Sequence, residues 1–328
     1  MALDQAGDRT RGATMYVTLE PCNHHGKTPP CADAIRAASI ARVVYACADP
    51  DPIAGGGAAR LADDGLDVHG GVAEVAARDL NARFFHLHGG PADRPWIELK
   101  LALSLDARIA DHAGGAAWIT GEQARAETHR LRAHHDAVMV GVGTVLADDP
   151  LLTVRGPVTP RRPTVRVVLD RQLRLPTESR LVDSIEQAPV WVLCEPDAPD
   201  ARRAELAAAG VRVLHSESLR DGLRLLRAEG VESVFCEGGA AVASALLAED
   251  LVDRLTLVYA PILLGPRGGG PFEGIASPTL DVIERWRTIR SEQFGADTLV
   301  SLARAPVIPA YAGITGRVLG ERARIADS

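Results

Sequence analysis

Cys22 and Cys31 bracket the stretch Pro21-Cys22-Asn23-His24-His25-Gly26-Lys27-Thr28-Pro29-Pro30-Cys31. Thiolates are strong zinc ligands, and a Pro-Pro entry that opens a helix at Cys31 would stabilise an anionic sulfur there. The bland alternative is a proline-braced loop holding two buried thiols. A second group of residues could do redox or phosphate chemistry. Gly141-Val142-Gly143-Thr144 follows an apolar run and allows a ligand close to the backbone. It is not a G-x-G-x-x-G dinucleotide fingerprint. Glu237-Gly238-Gly239 ends another apolar run ahead of a helical pattern, and glycines before a helix N-terminus make a pyrophosphate site. Taken alone, such a turn equally fits a tight strand-to-helix connection. Arg132 and Arg155 flank the glycine-rich stretch and could clamp a phosphate with their planar forks. An isolated arginine is more often a solvated surface residue.

These residues need elements to hold them, and the patterning is that of an α/β protein, with short β-rich runs alternating with helical ones. In the N-terminal part, strands are expected at 15–19, 42–48 and 67–70, and helices at 31–38, 60–64 and 72–85. Gly-Gly-Pro and Arg94-Pro95 then break the pattern. This divides the chain into a first domain over 1–88, a linker over 89–95 and a second domain over 96–305. The second domain reads as strands at 96–104, 137–141, 164–169, 189–194, 211–214, 233–237 and 254–259. Its helices are expected at 121–133, 201–209, 218–229 and 240–249. Residues 306–328 continue no pattern and read as a tail.

Composition narrows the function classes. The 328 residues carry a net charge of −7 and only 4% aromatics. A mildly acidic, aromatic-poor chain is unsuited to a nucleic-acid backbone or to stacking single strands. No apolar stretch reaches the length of a membrane span, and no export signal opens the sequence, so a cytoplasmic protein is expected. Five cysteines do not make a disulfide framework. Cys47, Cys194 and Cys236 lie in apolar runs and read as core residues.

The cysteine stretch matches every fixed position of PCxHxGxTPPC and so resembles the zinc motif of the bifunctional riboflavin biosynthesis deaminase–reductase family. Downstream, Lys100-Leu101-Ala102-Leu103-Ser104-Leu105-Asp106, Trp118-Ile119-Thr120, Gly141–Pro150, Leu152-Thr153-Val154-Arg155 and Glu237-Gly238-Gly239 resemble that family's reductase half, in order. The resemblance implies a cytidine-deaminase-like domain followed by a dihydrofolate-reductase-like α/β domain. It implies NADPH and zinc as cofactors, and a small phosphorylated aminopyrimidine, 5-amino-6-(5-phosphoribosylamino)uracil, as the compound reduced to its ribityl form. It leaves room for a homo-oligomer built through the reductase domain. Matched residue by residue, Ala116, Arg132, Leu152, Arg155, Glu237 and His24 would meet substrate. Ala102, Trp118, Thr144 and Asp148 would meet NADPH, as would Gly239, Ala240, Ala241, Val242, Ala243, Ser244 and Ala245. Asp148 would assist at the reacting carbon with Lys100 as its electrostatic partner, and Cys22 and Cys31 would bind metal.

The family's third zinc ligand and its proton-shuttling glutamate come from a His-Ala-Glu segment ahead of Pro-Cys. The residues preceding Pro21 contain no histidine, and Met1-Ala2-Leu3 resembles the family's residues just after that segment. The expectation is a first domain truncated in its deaminase site, through either an internal start or a truncated gene. Its deaminase would then be inactive, with His24 or His25 at most binding metal opportunistically. Two other functions compete with the reductase: a zinc-stabilised, non-catalytic scaffold, and a folate-type reductase.

Overall fold

The computed structural model describes residues 2–90, 92–113, 119–156, 158–160, 162–272, 274–275 and 286–304. Three parallel strands, β1 (Thr14–Leu19), β2 (Arg42–Cys47) and β3 (Asp67–His69), form the first sheet in the order β1-β2-β3. The helices Cys31–Ala37 and Gly57–Asp63 supply the crossovers, and Ile35, Val43 and Leu61 meet in a small buried core. The single helix expected over 72–85 is instead two, Glu74–Leu80 and Ala82–His88. Asn81 separates them: its side-chain amide donates to the Ala77 carbonyl at 3.0 Å, the local competition with helix bonding that asparagine favours.

The second sheet has nine strands: β4 (Trp96–Ser104), β5 (Ala137–Gly141), β6 (Val165–Leu169), β7 (Val190–Cys194), β8 (Arg212–His215), β9 (Ser233–Cys236), β10 (Arg254–Ala260), β11 (Trp286–Phe294) and β12 (Asp297–Arg304). Their order is β11-β12-β10-β4-β9-β5-β6-β7-β8. The segment from β10 to β8 is parallel throughout. Most of its strands are buried on both faces, with β8 a half-exposed far edge, and they read as largely apolar runs interrupted by Glu98, Lys100 and Arg166. Cys47, Cys194 and Cys236 are buried core residues, as expected.

Two strands escaped the sequence reading. β11 and β12 form an antiparallel hairpin laid against β10. The part-exposed β11, with Arg287, Arg290 and Glu292, has no apolar alternation to announce it, and charge of this kind is how a sheet edge avoids pairing with other chains. The sequence patterning assigns no element to residues 142–148. The glycine-rich stretch is a helix, Val142–Asp148, ending at Asp149 in the left-handed region.

Because β9 lies between β4 and β5, the C-terminal ends of these three strands sit side by side although far apart in sequence. In an open parallel sheet that edge is where ligands bind. Among the described residues no helix is long and apolar enough to cross a membrane.

Candidate active site

A cavity of about 880 Å³ opens over the ends of β4, β5 and β9. β4 presents Lys100 and Ala102 to it, two residues apart and therefore on one face. β5 ends at Gly141, where a Cβ would come within 2.8 Å of Val242 Cγ2. Glycine there lets the helix Ala240–Ala248 pack against the strand end. β9 runs into Glu237-Gly238-Gly239. The Thr144 hydroxyl donates to the Gly238 carbonyl at 3.2 Å, and a Cβ on Gly239 would lie 3.1 Å from Thr144 Oγ1. The first turn of that helix borders the cavity through Ala240, Ala241 and Val242. Its leading N–H groups have no intrahelical acceptors.

Charged side chains converge on the same wall. Arg132, from the helix Glu122–Ala133, donates Nε to Glu237 Oε1, and Nη2 to Oε2 at 2.9 Å. Its remaining nitrogen, Nη1, donates to the Thr153 carbonyl at 3.1 Å. Burial pushes the Glu237 carboxyl up, but Arg132, and then Lys100, outweigh it and hold the group below its ordinary range. Burial pulls the Lys100 ammonium down, only partly offset by Glu237. His129 is drawn down to about 4 by burial and by the charges of Arg132 and Arg155. Its Nδ1 accepts the Arg155 backbone N–H at 3.2 Å, so the neutral ring carries its proton on Nε2. Burial alone raises the Asp148 carboxyl. Arg155 is itself lowered by burial, then by Arg132 and Arg180.

The cavity gathers most of the residues singled out from sequence: Lys100, Ala102, Arg132, Thr144, Asp148, Leu152, Arg155, Glu237 and Gly239–Val242. Ala116 and Trp118 lie outside the described residues. One expectation changes. Ala243, Ser244 and Ala245 do not line the cavity. The helical turn carries Ala243 into the core, while Ser244 Oγ accepts the Gly274 N–H at 3.2 Å. Arg132 spends three of its five N–H groups on Glu237 and the Thr153 carbonyl, whereas Arg155 meets no carboxylate among the described residues. Lys100 is influenced by Glu237 and Arg132, while burial is what raises Asp148.

Sequence reasoning overlooked Arg125, Thr128, His129 and Arg180, which also line the cavity. The first three share with Arg132 the i, i+3, i+4, i+7 stripe of one helical face. That spacing was available in the sequence, but polar residues on a helix usually mark its solvated side. Arg180 lies in a short helix, Arg180–Asp183, with nothing local to announce it.

In the first domain Cys31 opens the helix Cys31–Ala37, as expected, and its backbone N–H donates to Cys22 Sγ at 3.3 Å. Burial first, then the Cys22 thiol, holds the Cys31 thiol above its ordinary value. Among the described residues no three His, Cys, Asp or Glu side chains are grouped to hold a metal ion. The residues present therefore do not complete the three-ligand set of a catalytic zinc site. The neighbouring carboxylate, Glu20, is already engaged. It accepts the N–H groups of Asp49 at 3.1 Å, Gly56 at 3.0 Å and Ala58 at 2.9 Å, pinning loops rather than facing a substrate.

A parallel sheet with a glycine-lined, charge-rich crevice at its carboxyl edge, preceded by a smaller α/β unit with a paired-cysteine motif, is the architecture of a two-part α/β enzyme with a dihydrofolate-reductase-like second domain. The family description "RibD C-terminal domain" matches residues 95–300. "Cytidine and deoxycytidylate deaminase zinc-binding region" matches residues 1–47. The riboflavin biosynthesis protein RibD of Aquifex aeolicus is 37% identical over 310 residues, covering 93% of this chain and 84% of that one. The structure of Acinetobacter baumannii RibD superposes with a TM-score of 0.74 at 36% identity, covering 93% of this chain and 84% of that one. The Thermotoga maritima diaminohydroxyphosphoribosylaminopyrimidine deaminase/5-amino-6-(5-phosphoribosylamino)uracil reductase also superposes with a TM-score of 0.74, at 35% identity, over 93% of this chain and 82% of that one. The chain belongs to the RibD family of riboflavin biosynthesis proteins.

Proposed function

We propose that this chain reduces 5-amino-6-(5-phosphoribosylamino)uracil to the ribityl compound with NADPH, in the cavity over β4, β5 and β9. The observation that carries this reading is the meeting, at one sheet edge, of a glycine-cradled helix N-terminus with a wall of unequal charges. The first fits the pyrophosphate of a dinucleotide, through Gly239, Ala240, Ala241, Val242 and Thr144. The second fits an anionic, hydrogen-bonding substrate. Bound there, NADPH would supply the hydride delivered to the ribosyl carbon.

The protein residues supply orientation and a proton. Glu237, held ionised by Arg132, offers acceptors to the N–H groups of a pyrimidine. Arg155 faces the cavity with no carboxylate partner among the described residues and takes the substrate phosphate, with Arg180 beside it. Lys100, its ammonium weakened by burial, gives a proton readily to the oxygen released when the sugar ring opens. Asp148, at the cavity's exposed rim with its carboxyl raised, acts as a second polar group near the reacting carbon. Ala102 leaves room for a flat ring against β4.

In the first domain, Cys22 and Cys31 supply two zinc ligands and no third is grouped with them among the described residues, so the 328-residue polypeptide is proposed to lack deaminase activity. NADPH oxidation with 5-amino-6-(5-phosphoribosylamino)uracil and with dihydrofolate tests the reductase reading. Turnover of the first and not the second is expected; the reverse result would replace it with a folate-type reductase, and turnover of neither with a scaffold.

A further inference from the structure

Arg166, on β6, is fully buried, yet no carboxylate among the described residues meets it. Nη1 donates to the Leu151 carbonyl at 3.1 Å and to Ser184 Oγ at 2.7 Å. Nη2 donates to the carbonyls of Ser184, at 2.9 Å, and Ala188, and Nε has no partner. Burial lowers its pKa to about 10. A charge taken out of water without an opposite charge is costly, and a residue needed only to fill this space would be apolar.

The two segments it joins are both part of the cavity wall. One is 149–155, whose backbone is strained: Asp149 and Leu152 have φ of 38° and 53°. Such geometry persists only when its surroundings hold it. This segment ends at Arg155. The other begins at Arg180, whose N–H donates to Asp149 Oδ1 at 2.9 Å. Ser184 Oγ in turn donates to the Arg180 carbonyl at 2.5 Å. One guanidinium therefore links Leu151, through Ser184, to the backbone that carries Arg180.

We infer that Arg166 is a positioning residue for phosphate recognition: from behind the wall, its fork fixes the spacing of the two segments that present Arg155 and Arg180. This rests on the proposal that those two arginines take the substrate phosphate. A lysine would keep the charge but lose the planar fork that reaches both segments.

The test compares kcat/KM for the phosphorylated substrate and for its dephosphorylated counterpart in wild type, Arg155→Ala, Arg166→Lys and Ser184→Ala. Ser184→Ala cuts the same link more gently and stands in if Arg166→Lys does not fold. Arg155→Ala should abolish the preference for phosphate. Arg166→Lys should reduce it roughly ten-fold, the scale of one charge-assisted contact, with turnover of the dephosphorylated compound unchanged; Ser184→Ala should reduce it less. An equal fall for both compounds, or a preserved preference, would overturn the inference and leave Arg166 a packing residue. If Arg155→Ala keeps the preference, the phosphate assignment itself fails and this inference fails with it.

Discussion

Arg132 and Glu237, 105 positions apart in the chain, form a two-point ion pair that neither makes with any sequence neighbour. The helix Glu122–Ala133 and the end of β9 are thereby locked together at the floor of the cavity. Breaking a buried pair by deleting one charge leaves the other uncompensated, at a cost of about 3–5 kcal/mol. Glu237→Ala should lower stability by that order, seen as a drop in Tm, while Glu237→Gln, which keeps a hydrogen-bonding oxygen, should cost less and raise the substrate KM. A Glu237→Ala variant as stable as wild type would show that the pair contributes nothing to the fold.

Arg155 carries the phosphate assignment. Its side chain faces the cavity beside Arg180 and Arg132, and losing a charge-assisted contact is worth about 1.5–3 kcal/mol. Arg155→Ala should raise the substrate KM roughly ten- to a hundred-fold and leave the KM for NADPH nearly unchanged. Steady-state kinetics varying each substrate in turn would reveal the opposite pattern if Arg155 served the cofactor.

Asp148 is raised by burial, so its carboxyl keeps its proton to higher pH than an exposed aspartate. Asp148→Asn preserves shape and removes ionisation. The expected result is a lower kcat with substrate KM held, the signature of an interaction made in the transition state. An unchanged kcat assigns the proton chemistry to Lys100 alone.

His129 titrates near 6.5 when unfolded and at about 4 in the folded protein. The unfolded chain therefore binds the proton first as pH falls, so His129 contributes stability that is present above 6.5 and lost as pH falls toward 4. Urea melts across that range should show a decline that is shallower in His129→Gln. Equal slopes in the two proteins would mean that the ring stays charged in the fold.

The cysteine pair should hold zinc weakly, since two thiols without a third ligand close no tetrahedral site. Dialysis of the 328-residue polypeptide against a chelator should strip it, and no ammonia should be released from the diamino precursor. One zinc per chain surviving dialysis, or measurable deamination, would require a ligand set unlike the one described.

Much of the scaffold was legible because most of its strands are buried on both faces and therefore largely apolar. β4, β5, β7 and β9 could be read within a residue or two of their ends. The edge strand β11 could not, since its arginines and glutamate resemble a loop; β12 also escaped, although its burial alternates. Two glycines give Gly141–Asp148 a low helix propensity, yet Val142–Asp148 folds as a helix directly after β5.

The sequence by itself determined the α/β class, the order of the strands along the chain and the residue types available for chemistry, because these depend on local periodicity and side-chain identity. Only the tertiary structure decided which of those residues meet. It spent the Arg132 fork on Glu237, brought His129 and Arg180 into the cavity, turned Ala243 and Ser244 away from it, and set the buried Arg166 behind its wall. The physical reason is that charges interact across space rather than along the chain. Which partner a guanidinium finds depends on the lateral order β4-β9-β5-β6, and no local pattern encodes that order.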